Sequence, residues 1–369
     1  MLTANGPQTP DCCCKDQNEN DVKSNEDGAA DDVEFVKRVI EQTVLDSQGR
    51  VDEERVYLTG HQDGCVLAMA YAATYSDEIA GVACFDGTMV TPIPTDGFVP
   101  TPIWHLHGTM ANALPNHKEA GSHGAEPHGY IGAMESNDYW GQANHCQKFD
   151  DYDLMDMIGL HGSMYRYSDC EPDKSTAVEL LSIIGGDDGN GYPYTISVLE
   201  KAMTIDMTAI AREFLMGHAS ANPSASETQT TSLRAGSPRT DGTSATVSLQ
   251  QEEENSDAED EEDDFRTNCD FGPDALADIL DGVEIPQKCI ETLTGTRCYY
   301  IYVPECADGK SPLVLDVHGY NSCPKRMAGN SGWIQQATRN CFVVVWPTVR
   351  LFETCIHVCI DHTTRDHGL

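Results

Sequence analysis

Long apolar runs are missing from this chain. No stretch approaches the roughly 18 residues that a membrane-spanning helix needs, so no membrane span is expected. Basic residues are scarce as well: 23 Lys plus Arg stand against 60 Asp plus Glu, a formal net charge of −37. A nucleic-acid binder needs a basic face for phosphates, and none can be assembled here. The opening residues, Met1 to Gly6, offer neither a basic nor an apolar stretch, so no signal peptide is read there. Cysteine, by contrast, is abundant. Fifteen cysteines in 369 residues suggest an oxidising compartment. That pulls against the missing signal peptide and leaves the compartment open. With 40% hydrophobic residues the chain can still bury one large core or two modest ones.

Composition divides the chain. Residues 1–30 read as a mostly disordered segment. From 31 to 217 apolar runs alternate with turn residues in a β-then-α rhythm. Residues 218–268 are rich in Ser, Thr, Ala and Pro and then in Glu and Asp, including Glu252-Glu253-Glu254. They read as a self-repelling disordered spacer, with a calcium or basic-protein docking patch as the alternative. Compact patterning returns over 269–350, and 351–369 form a tail. Its Cys355, His357, Cys359, His362 and His367 fit no zinc spacing, so neither a metal nor a cofactor is expected.

Within the first zone, Val33, Val36, Ile40 and Val44 keep helical spacing after Asp31-Asp32. Arg55 to Thr59 is a β-rich run, and Cys65 to Tyr75 is helical. Ile79 to Phe85, Pro102 to Leu106 and Val178 to Ile184 read as strands, and Ile196 to Leu215 as one amphipathic helix. The later zone adds strands at Cys298–Val303, Leu313–Val317 and Phe342–Trp346, the last two reading as buried. Strands alternating with helices predict an α/β fold, a parallel sheet with helices on both faces. The roughly sixty patterned residues from Cys289 to Val349 cannot cover such strands alone, so the later zone needs a partner.

Thr59-Gly60-His61-Gln62-Asp63-Gly64-Cys65 follows a strand and opens a helix, the setting of a G-x-S-x-G nucleophile elbow; an ordinary Gly-rich β-to-α turn is the plainer reading. Around it, "DDVEFVKRVIEQ…VDEERVYLTGHQDG", "IAGVACFDGT", "PIWHLHGT", "YWGQANHC" and "SDCEPDKSTAVELLSIIGG" resemble the run through elbow, acid and histidine in the polyhydroxybutyrate depolymerase and feruloyl esterase group of α/β-hydrolases (carbohydrate esterase family 1-like). "YYIYVPE…SPLVLDVHGYNSCP…SGWIQQATRNCFVVVWPT" resembles that group's opening, yet it comes last here. The resemblance therefore implies a circularly permuted α/β-hydrolase domain, or two half domains from neighbouring repeats: 31–217 the C-terminal part and 269–350 the N-terminal part. A permuted domain would hold Trp346 and Asp32 within a short-loop distance, on the order of 20 Å or less.

Carried onto this sequence, the family's serine falls on Gln62, its acid on Ala111 and its histidine on Asp188. None of these can make or orient a nucleophile, so the resemblance implies a lost triad. Backbone N–H groups of Asp63 and Tyr320 correspond to the oxyanion donors. Cys146 and Cys170 fall where the family has cysteines, which implies a disulfide between them. The Cys12-Cys13-Cys14 run resembles a family cysteine pair, and His117 to His128 read as a loop over the pocket mouth. Cys65, past the tip, is expected in packing rather than in chemistry, and His61 at the surface or the pocket rim. Three readings stay open: a binding or scaffold protein for a polysaccharide or an aryl or hydroxyacid ester, an active carboxylic ester hydrolase with a non-standard nucleophile, and a non-functional gene fragment. Oligomeric state is not legible.

Overall fold

A computed structural model of the chain describes residues 14–15, 21–22, 32–89, 93, 97–109, 131–172, 174–186, 195–198, 203–218, 283–292, 295–319 and 322–349. The acidic spacer and the tail therefore lie outside the described residues, as do Ala111, Asp188, Tyr320 and His117 to His128. In chain order the elements are β1 (Cys14–Lys15), β2 (Asp21–Val22), α1 (Asp32–Ser47), β3 (Val51–His61), α2 (Asp63–Thr74), β4 (Gly81–Phe85) and β5 (Ile103–Gly108). There follow α3 (Ala133–Ala143), β6 (Lys148–Asp153), α4 (Leu154–Met157), β7 (Gly162–Ser168), β8 (Val178–Ile183), β9 (Thr195–Val198), β10 (Met203–Asp206) and α5 (Met207–Met216). The later zone supplies β11 (Gln287–Thr292), β12 (Gly295–Tyr302), β13 (Ser311–Val317), α6 (Pro324–Asn330), α7 (Trp333–Asn340) and β14 (Val343–Pro347).

Ten strands form one sheet in the order β11-β12-β14-β13-β3-β4-β5-β8-β7-β6. The six central strands, β14 to β8, run parallel, and the two at each edge are antiparallel. The sheet is thus mixed rather than purely parallel. Its two zones meet at β13 and β3, where Leu313 to Val317 pair in register with Val56 to Gly60. Every residue of this junction is buried, the polar Asp316 and Thr59 included, as in central parallel strands covered on both faces.

Helices cover both faces. On one, α1, α2 and Trp140 of α3 pack against Leu58, Val82, Ile103, Leu315 and Val345. On the other, α5, α6 and α7 pack against Tyr57, Phe85, Trp104, Val314 and Trp346. The alternation of neighbours such as Tyr57 and Leu58, or Val314 and Leu315, follows from the period of two along a strand. Among the described residues no helix is long and apolar enough to cross a membrane.

The single helix expected over Ile196 to Leu215 is not what forms. Residues 195–198 and 203–206 pair as a small antiparallel ladder, and the helix starts only at Met207. Asp206 sets that start, because its carboxylate accepts the Ala209 N–H at 2.9 Å and caps the first turn.

Arg297 of β12 ties the two zones together at one end. Its guanidinium donates to the Asp32 carboxylate at the head of α1 and to the Thr348 carbonyl, 3.1 Å away, just past β14. It also lies 3.7 Å over the Phe35 ring. Disulfides clamp smaller units. Cys289–Cys298 joins directly opposed residues of β11 and β12, and Cys306–Cys341 ties the approach to β13 to the end of α7. Cys146–Cys170 closes the base of the β6–β7 hairpin.

Candidate functional site: the strand-to-helix elbow

The elbow is built where β3 turns into α2. Gln62 stands alone between them at φ 49° and ψ −116°, a positive φ that a residue with a side chain adopts only when its surroundings force it. Two glycines permit the turn. A Cβ on Gly60 would stand 2.3 Å from the Gly64 carbonyl carbon, and one on Gly64 would stand 2.2 Å from the Val317 carbonyl oxygen. Helix, strand and the end of β13 therefore touch backbone to backbone. Gln62 is fixed from both sides, donating its N–H to Phe85 O at 2.9 Å and accepting from Val66 N at 3.0 Å.

The His318-Gly319 loop leaves β13 directly beside this tip. A Cβ on Gly319 would lie 3.4 Å from Gln62 Oε1. His318 is buried, its Nδ1 3.0 Å from Gly319 O, and burial pulls its pKa down against the pull of the Gly319 and Val349 backbones. Asp63 opens α2, so its backbone sits at a helix N-terminus, where partial positive charge collects. Tyr320, the other expected oxyanion residue, lies outside the described residues.

Cys65 is fully buried and bridged to Cys84 of β4. A bridged sulfur has no thiolate to offer. His61, expected at the surface or the rim, is half-buried, and burial lowers its pKa to about 4.

One group at the same edge of the sheet was not singled out from the sequence. Asp86 follows β4 at φ 53°, and its Oδ1 accepts the Gly108 N–H at 2.9 Å and lies 3.8 Å from His107 Nδ1. His105 and His107 stack edge to face with centroids 5.3 Å apart. Both are buried, and burial together with its neighbour His107 holds His105 well below the usual histidine range. The signal was present as Phe85-Asp86-Gly87-Thr88 and His105-Leu106-His107-Gly108, but a single sequence gives no spacing rule that joins an aspartate to a histidine on the next strand. Of the expected site residues, the structure brings Gln62 and Asp63 together at the elbow and joins Cys146 to Cys170 far along the sheet. Among the described residues no group of three or more His, Cys, Asp or Glu could hold a metal.

Chemically, the site has a strained tip that carries an amide, a helix N-terminus and a neighbouring His-Gly loop. Known proteins are similar to the chain in part. Residues 14–126, which contain β3, the elbow, β4 and β5, match the phospholipase/carboxylesterase family model. No curated protein matches the chain. Two solved structures are similar over 82% of this chain and 81% of theirs, both at 12% identity. One is a PHB depolymerase complexed with an R3HB trimer (TM-score 0.37) and the other a PHB depolymerase from Penicillium funiculosum (TM-score 0.38). The chain itself has an α/β fold, a mostly parallel ten-stranded sheet with helices on both faces.

Proposed function

We propose that this chain is a binding protein built on an esterase-like hydrolase fold, which holds an ester-like ligand without cleaving it. The observation that carries this reading is Gln62 at the elbow tip: the backbone takes the strained turn, and the side chain is an amide, which forms no acyl-enzyme. Cys65, the nearest thiol in sequence, is taken up by Cys84. The family resemblance puts Ala111 and Asp188 at the other two triad positions, so no general base is oriented toward the tip either. That resemblance also supplies the ligand class, a polysaccharide or an aryl or hydroxyacid ester. Purified protein should turn over p-nitrophenyl acetate and methyl ferulate no faster than a denatured control. Saturable turnover that one substitution abolishes would establish an esterase with a non-standard nucleophile instead.

The proposal extends to the order of the parts. A circular permutation of the family's domain is supported by the strand order, in which β11 to β14 complete the sheet beside β3, and by Arg297, which touches Asp32 and Thr348 at once. Half domains from separate repeats carry no reason to complete each other in one chain. Bridging of all nine cysteines between Cys65 and Cys341 for which pairing is described supports folding in an oxidising, extracellular compartment.

A further inference from the structure

Behind the elbow, Thr88 Oγ1, His105 Nε2, both amide atoms of Asn137 and Trp140 Nε1 have no hydrogen-bond partner among the described residues, although none of these residues is more than 2% exposed. Such orphans are rare, because each costs about 1–3 kcal/mol of lost hydration. Five in one neighbourhood need a reason.

They do share a neighbourhood. The ring of His105 meets the backbone of Gly87, Thr88 comes next, and Met89 N–H donates to Ser136 Oγ at 3.3 Å, one residue before Asn137. Helix α3 runs down the sheet from there, ending where Asn144 clasps both backbone groups of Thr101 at 2.9 and 2.7 Å. Seven helical residues back from Asn144 is about 10 Å, which on a strand is about three residues beyond Thr101, the level of Trp104 and His105. His105 faces α3, since Trp104 and Leu106 on either side of it belong to the opposite core. The elbow adjoins this level: a Cβ on Gly87 would stand 2.8 Å from Gln62 O.

We propose that Thr88, His105 and Asn137 form the polar wall of a binding site, reached from the elbow, for a small uncharged ligand that carries both a hydroxyl and a carbonyl. Threonine and asparagine each donate and accept, and a neutral imidazole does one at each nitrogen. None of the three brings a charge, since burial keeps His105 unprotonated, and Asp86, two residues before Thr88, is engaged by Gly108. A charged ligand would be desolvated without compensation there. The assignment rests on the binding role proposed above and names where and what the fold binds.

The test is titration calorimetry with methyl 3-hydroxybutyrate, which has one hydroxyl and one ester carbonyl, and with methyl butyrate, which lacks the hydroxyl. The protein should bind the first saturably and the second at least about tenfold more weakly. Asn137→Leu, nearly the same shape, should weaken binding of the first by about tenfold or more while raising Tm by about 2–4 °C, because it removes two orphan atoms. Thr88→Val should act in the same direction on both readouts. Absence of saturable binding, unchanged affinity in Asn137→Leu, or a lower Tm in both variants would each overturn the site; unchanged affinity with a raised Tm would leave a buried water as the occupant. Turnover of p-nitrophenyl acetate in the same preparations separates the two readings. Hydrolysis with Asn137-dependent binding sinks only the non-catalytic role, and Asn137-independent binding without hydrolysis sinks only the site.

Discussion

Asp316 lies in the middle of β13 with no exposed surface, opposite Thr59 of β3, and accepts the indole N–H of Trp346 at 2.9 Å. Burial pushes its carboxyl up to about 7 against the pull of Ser331 and Trp346. The folded value then stands above the unfolded one, so the fold prefers the protonated acid. Its contribution is fully present below about pH 4 and is lost as pH rises through about 7. Asp316→Asn keeps an acceptor for Trp346 and removes the titration. The variant should gain stability relative to the parent between pH 4 and 7, by on the order of 3–4 kcal/mol at the upper end, as read from denaturant midpoints across pH. Equal pH slopes in parent and variant would show that the carboxyl stays ionised. His61 and His318 act with the opposite sign, since their lowered values cost stability as pH falls below about 6.5, and only the difference between the two proteins isolates Asp316. Residues of this kind explain why the site was half legible. The glycines around Gln62 mark a backbone need and stand out in a sequence. Asp86 and His105 are single polar residues beside apolar strand residues, Asn137 is one of four polar residues in a row, and what they meet depends on neighbours far along the chain.

Among the elements, those at the centre of the sheet were the legible ones. The runs at Leu313 and Phe342 are apolar because both faces of β13 and β14 are covered, which leaves a continuous signal. Edge strands lose that signal. The Lys148–Asp153 stretch of β6 is exposed at every position and carries three aspartates, so only its pairing with β7 makes it a strand. The short ladder before α5 was read as helix because its apolar spacing tolerates both periods, and the cap at Asp206 decided the matter. Arg297 shows how an edge element holds a helix. Its guanidinium is 3% exposed, closed in by Asp32, Phe35 and Thr348. Removing it takes the salt-bridge cation from a carboxylate that is itself only 11% exposed. Arg297→Met should therefore destabilise the protein by about 3–5 kcal/mol in chemical unfolding, and adding Asp32→Leu should recover part of that loss. Strict additivity of the two changes would mean that the pair does not act as a unit.

At the scale of the whole molecule, the sheet is continuous while the two zones that make it are separated in sequence. The β13–β3 ladder matches Leu313, Val314, Leu315, Asp316 and Val317 with Val56, Tyr57, Leu58, Thr59 and Gly60, and it is the widest junction between the zones. Either zone alone would expose one side of this ladder, with its apolar faces half covered and a row of backbone groups unpaired. The zones therefore fold as one unit, and what joins them in sequence matters less than what joins them in space. Thr348 and Asp32 share a single guanidinium nitrogen, so a few residues suffice to connect them. This geometry makes the proposed permutation testable by reversing the order of the zones. A chain in which residues 269–369 precede 1–218, with the acidic stretch between them deleted, keeps every cysteine, including the partner of bridged Cys323, and should fold cooperatively. Its circular dichroism should match the parent's, and its midpoint should lie within about 1 kcal/mol of the parent's, since doubling or halving a loop changes closure entropy by only about 0.6 kcal/mol. The four disulfides whose partners are both described each lie within one zone, so reordering breaks none of them. A reordered chain that aggregates, or that melts as two independent transitions, would mean that the present order is the one the domain requires, and the permuted reading would fall.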